Sequence, residues 1–265
     1  MKNEKMKKNR LVRKIKDSLS KKKKIFCAFI TVGYPNLRVT EQLILELERA
    51  GTDIIELGFP FSDPMADGPT IQFSSEQALK KGVKLRDAFA LVKNVRRKGC
   101  QIPVVFFSYL NPVFHYGKER FARAAAESGF DGLIIPDLPP EEESDLRKLC
   151  AKQGMAQIFL LAPTSGLERS RQIARASRGF VYYVSLRGVT GVRNALPADL
   201  KKDLRKVRRR ISNPVLIGFG VSNTRQGADL SKLCDGVIVG SGIIDRIRRS
   251  GGKIEPAVKF VRSMV

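Results

Sequence analysis

The 265-residue chain is 43% hydrophobic and 28% charged, which excludes a disordered polymer and gives enough material for one sizeable core. Its formal net charge of +23 is concentrated, because residues 1–24 hold twelve Lys/Arg against two acids and residues 201–210 hold seven against one. No apolar run reaches membrane-span length, and no apolar segment with a cleavage site follows the basic N-terminus, so the expectation is a cytoplasmic chain without a signal peptide or membrane association.

No aromatic residues interleave the basic runs and no nucleic-acid-binding motif accompanies them. They read as solvated helix faces, which argues against a nucleic-acid partner, and the same field would steer a phosphorylated small molecule. Cys27, Cys100, Cys150 and Cys234 are scattered, without a C-x-x-C pair, each within or beside an apolar segment. Reduced structural thiols are expected.

Residues 1–9 read as a disordered basic tail, and 10–265 as a single domain. Leu11, Ile15 and Leu19 recur at i, i+4, i+8, which predicts an amphipathic helix over 10–19. An apolar strand at 25–32 stops at Gly33-Tyr34-Pro35. A helix over 39–50 ends at Gly51, a C-cap signal. Ile54 to Leu57 is the second strand, carrying Glu56, and its loop runs to about Thr70. Helices follow at 71–81 and 85–98.

Residues 103–107 form the third strand, and Ser108 to Pro112 read as a polar and aromatic break. A helix over 118–127 leads to a strand at 132–135. Pro140 with Glu141, Glu142 and Glu143 reads as the start of a helix running to 153, with acids at the positive end of its dipole. Strands at 156–161, 180–184, 214–217 and 236–239 alternate with helices at 166–176, 199–210 and 223–233. Gly240-Ser241-Gly242 opens a last helical segment. Eight βα units predict an α/β fold, a TIM (β/α)8 barrel with an extra N-terminal helix; a doubly wound open sheet is the alternative.

Glycine-rich turns follow the last two strands, Gly218 to Ser222 and Gly240 to Gly242, with a third at Gly188 to Gly191. In a barrel the first two lie side by side, where backbone N–H groups and a helix N-terminus suit a phosphate; ordinary βα turns also use glycine. One histidine, His115, leaves no material for a histidine triad or a histidine-rich metal site, and no metal is expected. Carboxylates and tyrosines are left: Glu56, Asp63, Asp67, Tyr109 and Tyr182. A glutamate on an apolar strand is either a salt-bridged structural group or an acid/base catalyst with a raised pKa. Asp63, beside Pro64, reads as a turn former.

The run E-L-G-F-P-F-S-D-P-M-A-D-G-P-T-I-Q from Glu56 resembles the signature of the tryptophan synthase alpha subunit family. F-I-T-V-G-Y-P at Phe29, Y-L-N-P at Tyr109, D-G-L-I-I-P-D-L-P at Asp131, L-A-P-T-S at Leu161, Y-Y-V-S-L-R-G-V-T-G at Tyr182, G-F-G-V-S at Gly218 and V-G-S-G at Val239 extend it over nearly the whole chain.

The resemblance implies a carbon–carbon lyase that cleaves indole-3-glycerol phosphate to indole and glyceraldehyde 3-phosphate, with Glu56 as acid/base and Asp67 holding the indole N–H. It implies Phe29 and Phe219 as walls around the indole, with Tyr182 near the substrate. Gly191, Gly220, Gly240 and Ser241 would cradle the phosphate, and Thr190 would meet Asp67 on closure. No cofactor is implied in this chain. The partner would be a pyridoxal-phosphate beta subunit in an alpha-beta-beta-alpha heterotetramer, with Asp63 and the sixth loop facing it. The alternative is a weakly catalytic barrel that activates the beta subunit allosterically. Phe107, Arg187 and the net charge depart from the family pattern.

Overall fold

The computed structural model describes residues 2–142, 144–184, 198–218 and 224–265. Among them the strands are β1 (Ile25–Thr31), β2 (Ile54–Gly58), β3 (Val104–Phe107), β4 (Gly132–Ile134), β5 (Ala156–Ile158), β6 (Leu160–Leu161), β7 (Val181–Val184), β8 (Val215–Gly218) and β9 (Gly236–Val239). The helices are α1 (Lys2–Lys7), α2 (Arg10–Ser20), α3 (Leu37–Arg49), α4 (Pro69–Lys80), α5 (Leu85–Arg97), α6 (Leu110–Tyr116) and α7 (Lys118–Ser128), then α8 (Ser144–Gln153), α9 (Leu167–Ala176), α10 (Ala198–Arg210), α11 (Thr224–Ser231), α12 (Ser241–Arg249) and α13 (Glu255–Arg262).

Every strand pairing is parallel, in the order β5-β4-β3-β2-β1-β9-β8-β7-β6. The two ends of that order are one extended run. β5 pairs with β4, β6 pairs with β7, and only Phe159 lies between them. The Phe159 carbonyl accepts the Tyr182 N–H at 3.1 Å. The sheet therefore closes on itself as a TIM barrel, and the open-sheet alternative falls. The strand expected over 156–161 is split because its first half bonds one neighbour and its second half the other. Strands covered on both faces must be apolar throughout, and β1, β2, β3, β4 and β9 are buried along their whole lengths.

Because all strands are parallel, their N-terminal ends share one face, and α2 covers it. Leu11 and Ile15 are buried, and a Cβ added to Gly179, just before β7, would meet both at 3.4 Å. Each such side chain contributes about 1.5–3 kcal/mol of hydrophobic stabilisation. Asn9 caps α2 through the Val12 N–H at 3.1 Å, while its amide donates to the Asp131 and Gly154 carbonyls at 2.7 and 2.8 Å.

Asp53, Asp131 and Asp235 stand before β2, β4 and β9. Each accepts with Oδ2 a backbone N–H at the start of the neighbouring strand, from Phe26, Val104 and Val215, all at 2.9 Å. Each is also paired with cations: Asp53 with Lys14 at 3.0 Å, Asp131 with Arg10 and Arg96 at 2.9 Å, and Asp235 with Arg208 at 2.8 Å. The carboxylates satisfy backbone donors that strand geometry leaves over at the barrel rim.

Four local expectations change. Where a disordered tail is expected over 1–9, Lys2–Lys7 are helical and Asn9 is buried against the barrel. The break after Tyr109 is helix α6. Its Pro112 falls in the first turn, where no N–H is needed, and the Asp137 carboxylate accepts the Leu110 N–H at 3.0 Å. Helix α8 begins at Ser144 rather than at Pro140, because Glu142 donates its N–H back to the Pro139 carbonyl at 3.2 Å in a turn. The last segment is two helices, α12 and α13, separated by Gly251 and Gly252 at positive φ.

Candidate active site

The opposite face, at the C-terminal ends of the strands, collects the candidate site. Phe29 on β1 and Glu56 on β2 are register partners, so their side chains leave the sheet on the same side. Glu56 is 1% exposed. Its Oε2 lies 4.0 Å from the Cys27 Sγ, and its Oε1 has no hydrogen-bond partner among the described residues. Burial raises the Glu56 carboxyl to about 8, with the Asp67 charge adding to the shift. Among the described residues no cation pairs with Glu56, so none of them gives it a salt-bridged structural role.

Asp67 is half-buried at the end of the β2–α4 loop, just before Gly68 and Pro69 start α4. Burial lifts its carboxyl to about 6, and a hydrogen bond from the Tyr109 hydroxyl pulls against that rise. The same hydroxyl accepts the Ala66 N–H at 2.9 Å. Burial pushes Tyr109 up to about 12, so it stays a protonated donor at physiological pH. Tyr182 on β7 is raised by burial and then by the Glu56 charge, which places its hydroxyl in the same electrostatic environment.

Glycines make room for the aromatic walls. A Cβ at Gly58, the last residue of β2, would overlap the Phe29 ring, and one at Gly240 would sit 3.0 Å from the Phe29 Cβ. A Cβ at Gly218, the last residue of β8, would overlap the Tyr182 hydroxyl. Phe107 on β3 meets Phe29 edge-on, with centroids 5.5 Å apart. Gly240 is the N-cap of α12 and Ser241 its first residue, so the positive end of that helix opens beside Phe29.

The structure thus brings together Glu56, Asp67, Phe29, Tyr182, Gly240 and Ser241. Thr190, Gly191, Phe219 and Gly220 lie outside the described residues. Asp63 is exposed, accepts a hydrogen bond from the Ser62 hydroxyl, and takes no part in the cluster. His115 is exposed in α6, and all four cysteines are buried and unbridged. Among the described residues no three His, Cys, Asp or Glu side chains gather as a metal group, and no helix is long and apolar enough to cross a membrane. Sequence reasoning gave Gly58 no role, read Cys27 only as a structural thiol and Gly218 only as part of a phosphate turn, noted Phe107 only as a departure, and named Tyr109 without a task. Only Tyr109 carried a usable signal, a polar aromatic residue just past a barrel strand.

Fold and site define a TIM-barrel enzyme whose mouth holds two carboxyls of raised pKa under an aromatic wall, next to a helix N-terminus. A sequence model of the tryptophan synthase alpha chain matches residues 15–264. The tryptophan synthase alpha chain of Geotalea daltonii is 49% identical over 232 residues, covering 88% of each chain. The crystal structure of tryptophan synthase subunit alpha from Legionella pneumophila superposes with a TM-score of 0.89 at 34% identity, covering 97% of both chains. A chain of the Pyrococcus furiosus tryptophan synthase complex gives 0.84 at 36% identity, over 91% of this chain and 97% of that one. The chain belongs to the tryptophan synthase alpha chain family, whose members are lyases.

Proposed function

We propose that the barrel cleaves indole-3-glycerol phosphate to indole and glyceraldehyde 3-phosphate, with Glu56 as the acid/base and Asp67 as the carboxylate that holds the indole nitrogen. The observation that carries this reading is the Glu56 carboxyl. It is buried, raised to about 8, and has one oxygen without a partner among the described residues, in a cluster with Asp67 and Tyr182. A carboxyl raised that far is protonated near neutrality, and an unpartnered buried oxygen favours a ligand that supplies its hydrogen bond.

In this mechanism Glu56 gives its proton to C3 of the indole ring. The positive charge that develops on the ring nitrogen is offset by Asp67, which is ionised above about 6 and accepts the indole N–H. The Glu56 carboxylate then takes the proton of the neighbouring glycerol hydroxyl. The C–C bond breaks as the aldehyde forms, and the bonding pair returns to the ring to restore aromatic indole. Phe29 and Phe219 hold the ring. The Gly240–Ser241 turn at the start of α12, with Gly191 and Gly220, receives the phosphate. Thr190 meets Asp67 when the site closes and excludes water.

The partner in this reading is a pyridoxal-phosphate beta subunit, in an alpha-beta-beta-alpha assembly that takes up the indole. Met65 in the β2–α4 loop is 81% exposed and Phe114 on α6 is 64% exposed, apolar surface beside the mouth that suits such a contact. The test is indole release from indole-3-glycerol phosphate, by the chain alone and with a beta subunit. Activity that depends on Glu56 supports the lyase. Activation of the beta subunit with no indole release by the alpha chain would instead establish an allosteric subunit.

A further inference from the structure

We propose that the face opposite the candidate site is a sequence-independent binding surface for the phosphate backbone of double-stranded nucleic acid. The surface is built by residues 4–24, which contain eleven Lys/Arg and two acids. The α2 anchors described above fix this segment across the N-terminal ends of the strands. Its exposed positions are mostly cationic, with Glu4, Asp17 and Ser20 among them. Lys7, Lys8, Arg13, Lys16, Lys21 and Lys22 are exposed and form no ion pair among the described residues. Arg178, exposed beside the Gly179 that packs on α2, continues the patch.

Nearby acids do not neutralise it. Asp53, Asp131 and Asp235 are turned inward, bonded to strand N–H groups and already paired with Lys14, Lys23, Arg10, Arg96 and Arg208.

The chemistry of the surface selects the occupant. Residues 4–24 contain no aromatic side chain, so there is no platform on which unpaired bases could stack. The apolar residues of α2 are spent on the barrel, with Leu11 and Ile15 at 0% and 3% exposure, so the helix has no face to insert into a bilayer. What is left is a rigid array of point charges. Such an array gains most from a polymer of high linear charge density, which releases condensed counterions when its phosphates are neutralised.

The test uses the full chain and a 20-base-pair mixed-sequence duplex, titrated by fluorescence anisotropy at several salt concentrations. Binding should be independent of sequence, with a log–log salt slope of about −5, as expected when roughly six phosphates are neutralised. Replacing Lys8, Arg13, Lys16 and Lys21 together by Gln should weaken binding at least tenfold and flatten the slope, with an unchanged thermal melt. Replacing Lys201 and Lys202, at the end of α10 away from the Arg208–Asp235 pair, by Gln should leave it within twofold. The proposal is overturned if the duplex fails to bind at low salt. It is equally overturned if the α10 variant rather than the N-terminal one loses binding, or if vesicles of anionic phospholipid compete the duplex away at equal phosphate. None of these readouts depends on indole release.

Discussion

The Tyr109 hydroxyl accepts the Ala66 backbone N–H at 2.9 Å and donates to the Asp67 carboxylate. One phenol on the far side of β3 thereby fixes the end of the β2–α4 loop and sets the acidity of the group that follows. Asp67 in turn adds to the burial that raises Glu56. Proton affinity in the mouth is set along a chain from Tyr109 to Asp67 to Glu56.

Tyr109→Phe removes both bonds. Ala66 is exposed, so water replaces the lost acceptor and stability falls by less than about 1 kcal/mol. Asp67 loses a bond to its charged form, so its pKa rises from about 6. The acidic limb of the kcat/KM profile should move to higher pH. An unmoved limb would show that the phenol does not act through Asp67.

The wild-type kcat/KM should follow a bell between apparent values near 6 and 8, the first for ionising Asp67 and the second for deprotonating Glu56. The two carboxyls interact, so these values belong to the pair. In Glu56→Gln, indole release should fall about a thousandfold. Steady-state assays across pH 5–9 check both outcomes.

Glu56→Gln should also gain stability at alkaline pH. An ordinary glutamate carboxyl has a pKa of about 4.5 and burial raises that of Glu56 to about 8, so the folded state holds the proton more tightly. Its contribution is fully present below 4.5 and is lost as pH rises toward and through 8. The variant carries no such loss. It should exceed the wild type by about 5 kcal/mol at pH 9 and converge with it near pH 4.5 in denaturant titrations.

Gly218→Ala places a methyl on the Tyr182 hydroxyl. The ring must move or the strand must shift, at a cost of about 1–3 kcal/mol and with lower kcat. Gly68→Ala is the control, because nothing lies within 4 Å of its added Cβ and its φ is −74°. Thermal melts and kcat of the two variants should separate clearly.

Asp131→Ala leaves Arg10 and Arg96 without their anion and the Val104 N–H without its acceptor. The expected loss is about 3–5 kcal/mol, read from urea denaturation. Activity below the melting transition should be unchanged, since Asp131 lies at the end of the barrel remote from Glu56.

Much of this was legible before folding. The alternation of short apolar runs with 3.6-period segments marks a barrel, because a strand buried on both faces must be apolar throughout and its covering helix only on one side. Glu56 stood out because a carboxylate does not belong in such a run. Local capping rules placed several helix ends, from Gly51 after α3 to the left-handed Gly129 after α7. They failed at α6 and α8. At α6 the deciding acceptor, Asp137, lies 27 residues away. At α8 a short turn outweighed the preference of acidic residues for a helix start.

By itself the sequence determined the alternation of elements, the identity of the buried carboxylate and the glycines at the strand ends, all properties of neighbouring residues. Only the tertiary structure decided that the sheet closes through Phe159 and that Tyr109 governs Asp67. It alone also showed that Gly58 and Gly218 are empty so that Phe29 and Tyr182 can fill the mouth, and that the lysine-rich segment faces away from it. Those outcomes depend on register between distant strands and on desolvation by the whole barrel, neither of which any local stretch of the chain encodes.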